Sequence, residues 1–183
     1  MLDVRERDVL VVGAGPVGRQ KIGGLHSEGA HVTVVARDIS PDVAALPGIS
    51  VIRRAFEVSD LDGRWLVFAA TGDPTLQQLI HDEATARRIW VNCADEPSRC
   101  TFILPAVHRE GPITVSVSTG GLSPALAGWL RTRLADALPP DVGALANELR
   151  VRRTVMKDTG ASTESVDWKP IIEDILRQFE RQH

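Results

Sequence analysis

The sequence predicts an α/β fold in three parts: a Rossmann-like parallel sheet, a short second segment and a helical carboxyl-terminal region. Three observations carry that reading. The first is the run Val9-Leu10-Val11-Val12, apolar and mostly β-branched as a buried parallel strand requires, which passes straight into Gly13, Gly15 and Gly18 at the spacing G-x-G-x-x-G. The second is the alternation that follows, with apolar runs at 31–36, 49–52, 65–70 and 89–94 and helical patterns between them. This gives a β-α-β-β-α-β order and hence a parallel sheet. The third is the change of pattern past residue 100, where two strand-like runs lead into a proline-started helix and then amphipathic stretches to the end of the chain.

Length and composition narrow the classes. A chain of 183 residues holds one domain or one domain with an appendage. Its 43% hydrophobic residues suffice for a core, and its net charge of −3 with four Phe, four Trp and no Tyr argues against a nucleic-acid partner. No apolar run is long enough to span a bilayer, and residues 1–8 carry no apolar signal core, so neither membrane nor export is expected and the cytoplasm is. Cys93 and Cys100 form no C-x-x-C pair and have no histidine cluster beside them, so no metal site is expected.

Taken in order, the glycine turn comes first. Gly13 permits the tight exit from the strand, Gly15 lets backbone approach a pyrophosphate, and Gly18 lets the next helix sit close to the sheet. The helix then aims its unpaired N–H groups at phosphate, which makes Gly13, Ala14, Gly15, Pro16 and Val17 the cofactor turn. Gly23-Gly24 weaken this helix, Ile22 and Leu25 give it an inward face, and Gly29 ends it. Lys21 lies too far along it for a phosphate contact to be assumed. The second strand ends at Ala36, and Asp38 stands twenty residues beyond Gly18, where an acid holds the adenosine ribose hydroxyls. Arg37 pulls the other way, as an acceptor for a 2′-phosphate or a stacking surface for adenine, and the balance favours NAD over NADP. The fourth strand closes on Ala70 and Thr71, small residues at a strand's carboxyl end, where a cofactor lies close. Pro74 opens the next helix, and Asp95-Glu96-Pro97 ends the fifth strand.

Strands are then expected at 101–105 and 113–118, separated by 107–112, the second with alternating apolar and hydroxyl side chains. Thr119-Gly120-Gly121-Leu122-Ser123-Pro124 follows, with Ser123 as N-cap and Pro124 in the first helical position, an anion-friendly turn or simply a helix cap. The helix 124–138 stops at Pro139-Pro140, and two or three helices follow, with residues 160–163 as a connection. The expected boundaries are 1–112 for the nucleotide domain, 113–140 for the second segment and 141–183 for the helical end.

Several stretches resemble the precorrin-2 dehydrogenase family, which includes dehydrogenase–chelatases and the amino-terminal half of siroheme synthase. They are 11–18, 29–36, 66–71, Val91-Asn92-Cys93-Ala94-Asp95-Glu96-Pro97, 102–106 and 118–127, in family order. The resemblance implies oxidation of precorrin-2 to sirohydrochlorin with NAD⁺ as hydride acceptor, with a chelatase activity in some members. It implies a homodimer whose contact is built by residues 113–140. It places the catalytic aspartate on Asp95 and substrate contacts on Asn92, Thr119, Gly120 and Ser123. A carboxylate at a strand's carboxyl end beside a nicotinamide pocket can take a proton as hydride leaves. The plainer reading is that Asp95 caps the loop before Pro97. The chain departs from the family's pattern at Gln77, Gln20 and Gly128. Its length leaves no room for a methyltransferase domain, so the fused trifunctional arrangement is not expected.

Other dehydrogenase classes fit worse. A tyrosine-dependent short-chain enzyme needs a tyrosine, and a zinc enzyme needs a cysteine-rich site. A non-catalytic NAD(H)-binding regulatory module would account for residues 9–95 but gives no account of Asp95 followed by the 113–127 segment.

Overall fold

The structure is a computed structural model that describes residues 2–181, so the last two residues of the helical end lie outside the described residues. It divides into two compact units, up to Ile103 and from Leu104 onward.

The first unit is a five-stranded parallel sheet of β1 (Asp8–Val12), β2 (His31–Val35), β3 (Ser50–Ile52), β4 (Leu66–Ala69) and β5 (Trp90–Cys93). Their order is β3-β2-β1-β4-β5. Strand order reverses between β1 and β4, paired with Val12 opposite Ala69, and it is at such a reversal that a parallel sheet opens a crevice beyond its strand ends. Every residue from Val9 to Val12 is buried because both faces are covered. Val9 and Val11 pack with Ile22, Val32, Val34 and Phe68 on one face, and Leu10 and Val12 pack with Val67, Ile80, Ala84 and Val91 on the other.

Helix α1 (Pro16–Ser27) stays continuous through Gly23-Gly24 because Ile22 and Leu25 are buried, so packing outweighs poor propensity. It ends as expected. Gly29 at φ +77° lets its N–H reach the His26 carbonyl, while the Ala30 N–H reaches that of Leu25, satisfying two carbonyls of the last turn. Helix α3 (Pro74–Ala86) is capped by Asp73, whose carboxylate accepts from the Thr75 and Leu76 N–H groups. Three features were not legible as elements: a 3-10 turn at Pro97–Arg99, a short α2 (Pro41–Ala44) and a 3-10 turn at Val58–Leu61. The last is held by the buried Asp60, whose carboxylate takes a bidentate pair of hydrogen bonds from Arg54 at 2.8 and 2.6 Å and a third from the Glu57 N–H at 2.9 Å.

The second unit begins with an antiparallel hairpin of β6 (Ala106–Glu110) and β7 (Ile113–Val117), joined by Gly111-Pro112. This corrects the strand expected at 101–105. Thr101 instead finishes the first unit, its N–H donating to the Val91 carbonyl and its hydroxyl oxygen accepting from the Val91 N–H, both at 2.8 Å. Phe102 sets its ring edge-on to Phe68, with centroids 5.5 Å apart. Pro105 has no N–H to give a ladder, so pairing starts one residue later. The division between units accordingly falls after Ile103, where the sequence pattern had set it after residue 112. β7 alternates as expected, with Ile113, Val115 and Val117 half-buried and Thr114 and Ser116 exposed. Helix α4 (Pro124–Asp136) packs on both hairpin strands. Helix α5 (Val142–Asp158) buries Val142 and Leu145, and α6 (Trp168–Glu180) buries Ile175.

Candidate nucleotide and catalytic site

The site grows from the switch point between β1 and β4. Gly13 has φ +101°, and a Cβ there would lie 2.8 Å from the Ala70 carbonyl carbon. At Gly18 a Cβ would lie 2.9 Å from the carbonyl carbon of Gly13 and 3.5 Å from the Ala70 Cβ. Both glycines are therefore demanded by the protein's own packing. Gly15 is different. Its φ of −66° suits any residue, and nothing lies within 4 Å of where its Cβ would be. What glycine preserves there is open room in front of the first turn of α1, whose N–H groups receive no side-chain cap and face no acidic residue of their own. That cradle fits a dinucleotide pyrophosphate.

Beside it a cleft of about 440 Å³ is lined by Ala14, Gly15, Arg19, Asp38, Ile39 and Ser40. The structure thus brings Asp38 to the same cleft as the glycine turn, while Arg37 is exposed and outside that lining. Arg19 and Ser40 were missed. Arg19 follows Gly18 directly in the first turn of the helix, a position that could have flagged it.

Ala70 is fixed by its N–H to the Val12 carbonyl at 2.8 Å. The Thr71 hydroxyl accepts from the Asp73 N–H at 3.2 Å, tying the loop after β4 to the cap of α3. At the neighbouring strand end, Asp95 is exposed and left-handed at φ +61°. Among the described residues its carboxylate accepts no hydrogen bond, and the loop before Pro97 is tied instead by the Ser98 hydroxyl donating to Glu96 at 2.6 Å. The loop-cap reading of Asp95 is thereby corrected. The half-buried Lys21 is the charged partner in its field: burial pulls the ammonium below its ordinary range, and the Asp95 carboxylate pushes it back up.

Asn92 points its amide at the Phe102 carbonyl, 3.0 Å away, and at the Cys100 sulfur, so it anchors the end of the first unit. The two cysteines are free thiols; burial pushes Cys93 up to about 11 and raises Cys100 as well, which leaves both protonated at neutral pH. Among the described residues no group of three or more His, Cys, Asp or Glu side chains gathers as a metal site would.

Thr119, Gly120 and Ser123 belong to the second unit. The Thr119 hydroxyl donates to the Ser123 carbonyl at 3.1 Å and accepts from the Ser123 N–H at 3.0 Å. The Gly120 N–H donates to the Ser118 hydroxyl, and Ser123 caps α4 by accepting from the Leu126 N–H. The turn is a closed ring of bonds with Gly120 and Gly121 both left-handed. In the helix behind it, the Nε of Arg131 is buried and has no hydrogen-bond partner among the described residues.

Residues 1–106 match the family model described as putative NAD(P)-binding. The chain belongs to that NAD(P)-binding family. Residues 110–137 match a second model, described as the central part of a sirohaem biosynthesis protein. Siroheme synthase of Methylobacillus flagellatus is 36% identical over 180 residues, covering 96% of this chain and 38% of that protein. Siroheme synthase of Thioalkalivibrio sulfidiphilus is 41% identical over 164 residues, 88% of this chain and 34% of that one. The chain therefore spans about a third of the length of these curated relatives. Among solved structures, SirC, a precorrin-2 dehydrogenase, matches with a TM-score of 0.77 and 26% identity, over 100% of this chain and 96% of that one. The order of the two family models along this NAD(P)-binding chain bears out the resemblance read from its motifs, and the fold match bears out its parallel sheet with a helical end.

Proposed function

We propose that this chain oxidises precorrin-2 to sirohydrochlorin, with NAD⁺ as the hydride acceptor, in siroheme and related tetrapyrrole biosynthesis. The observation that carries the reading is the pairing on one sheet edge of an open cradle at Gly15 with Asp95, an exposed carboxylate that accepts no hydrogen bond among the described residues. Bound nicotinamide supplies the hydride acceptor. The chain's own residues do the rest. The uncapped first turn of α1 receives phosphate, and Asp38 on the cleft binds ribose hydroxyls and so disfavours a 2′-phosphate. Oxidation removes one hydride and one proton from the macrocycle, and the Asp95 carboxylate takes the proton.

Precorrin-2 carries several carboxylates, and Asn92, Thr119, Gly120 and Ser123 are its proposed contacts. The protein works as a homodimer, supported by the apolar residues that α4 leaves exposed, and in the cytoplasm, which suits its free thiols. Among the described residues no helix is long and apolar enough to cross a membrane. Whether iron is also inserted is decided by adding Fe²⁺ after the oxidation and following the absorbance of the macrocycle.

The test of the assignment is Asp95→Asn together with Asp95→Ala. A positioned base contributes about 10²–10⁴-fold, so both variants are expected to keep fold and NAD⁺ binding while losing at least about a hundredfold in precorrin-2 oxidation. Near wild-type rates in both would move the proton acceptor elsewhere.

A further inference from the structure

Gln77 is one of three buried polar residues among the described residues, with Thr33 and Asp60. It lies in the first turn of α3, and its side-chain amide donates in two directions: to the Thr71 carbonyl at 2.6 Å and to the Ala94 carbonyl at 3.2 Å. Those carbonyls belong to different loops. Thr71 follows β4 in the loop that borders the cofactor cradle, and Ala94 is the residue immediately before Asp95 at the end of β5. Below this bridge the Ala94 N–H is bonded to the Ala69 carbonyl at 3.0 Å, and the Cys93 thiol faces the Gln77 carbonyl at 3.8 Å. The two strand ends are therefore clasped by one side chain.

Asp95 needs such a clasp. A residue other than glycine at positive φ holds that conformation only when its surroundings fix it, and among the described residues its own carboxylate accepts no hydrogen bond. An amide is suited to the task because one NH₂ group offers two donors to two acceptors, which neither a carboxylate nor an apolar side chain can do.

We propose that Gln77 is a positioning residue for the oxidation, setting the place of the Asp95 carboxylate relative to the cofactor loop at Thr71. This rests on the reading of Asp95 as proton acceptor. Gln77 touches neither substrate nor cofactor; it acts through the two carbonyls it holds.

The test is a double-mutant cycle of Gln77→Met, which keeps size and removes both donors, with Asp95→Asn, measured as kcat for precorrin-2 oxidation beside NAD⁺ affinity by titration. Misplacement by about 1 Å can cost on the order of a hundredfold, so Gln77→Met alone is expected to lower kcat by roughly ten- to a hundredfold with NAD⁺ affinity changed by less than about threefold. In the Asp95→Asn background the same change is expected to cost less than about twofold, because the group it positions is already gone. Hydrogen exchange is expected to rise at 71–73 and 94–98 and nowhere else in the sheet. An equal loss from Gln77→Met in both backgrounds, or no loss alone, overturns the inference while leaving Asp95 in its role. Wild-type turnover by Asp95→Asn overturns both. Should Gln77→Met fail to fold, Gln77→Asn, which keeps the donors but shortens their reach, enters the same cycle with the same outcomes.

Discussion

Gly18 sits so close against Gly13 that a Cβ on Gly18 would collide with the Gly13 carbonyl oxygen, whereas Gly15, between them, faces open space. One motif thus contains two glycines needed by the fold and one that the fold itself does not require. Gly18→Ala is expected to destabilise the protein by about 1–3 kcal/mol, the usual cost of forcing atoms into a closed contact. Gly15→Val is expected to cost about 1 kcal/mol through a poorer helix cap, yet to abolish NAD⁺ binding. Urea unfolding and nucleotide titration on both variants check the contrast; undiminished NAD⁺ affinity in folded Gly15→Val would remove the pyrophosphate from this turn.

Asp60 gives a pH-dependent prediction. The Arg54 guanidinium, ahead of the Glu57 N–H and the field of Arg64, holds its carboxyl below the usual carboxylate range despite burial. A carboxylate with a depressed folded pKa contributes stability that is fully present above the unfolded value and lost as pH falls through the folded one. Asp60→Asn is therefore expected to cost about 1.5–3 kcal/mol at neutral pH, with the gap to wild type closing only below about pH 4. Denaturant midpoints across that range check the sign; a gap that widened on acidification would contradict it.

The apolar surface of α4 supports a dimer. Leu126, Trp129 and Leu134 are 48%, 61% and 48% exposed, and the Arg133 guanidinium lies over the Trp129 ring, 5.9 Å from its centroid. Sedimentation is expected to show a dimer at micromolar concentration, and Trp129→Asp a folded monomer. A wild-type monomer would leave this surface without its proposed role.

The nucleotide half was legible because its signals are local. Val9–Val12 must be buried on both faces, Gly13 and Gly18 must be glycine, and Ser123-Pro124 starts a helix in any context. What was not legible depends on distant partners. Thr101 and Phe102 read as a strand, but Val91 and Phe68 claim them for the first unit, and only then does β6 begin at Ala106. Asp60 reads as one of several turn acids until Arg54 is found against it. Gln77 stands out in the sequence only as a departure from the family's pattern, since nothing nearby announces the Ala94 carbonyl seventeen residues on. Ser40 came to the cleft the same way, through folding and not spacing.

The measurement that tests the central claim most directly is incubation of the purified wild-type protein with precorrin-2 and NAD⁺, following NADH and sirohydrochlorin absorbance together. The account predicts that both rise in equal amounts, faster than without protein, and that NADP⁺ serves less well. Saturable binding of NAD⁺ with no NADH formed from precorrin-2 would contradict it and leave a nucleotide-binding module without this chemistry.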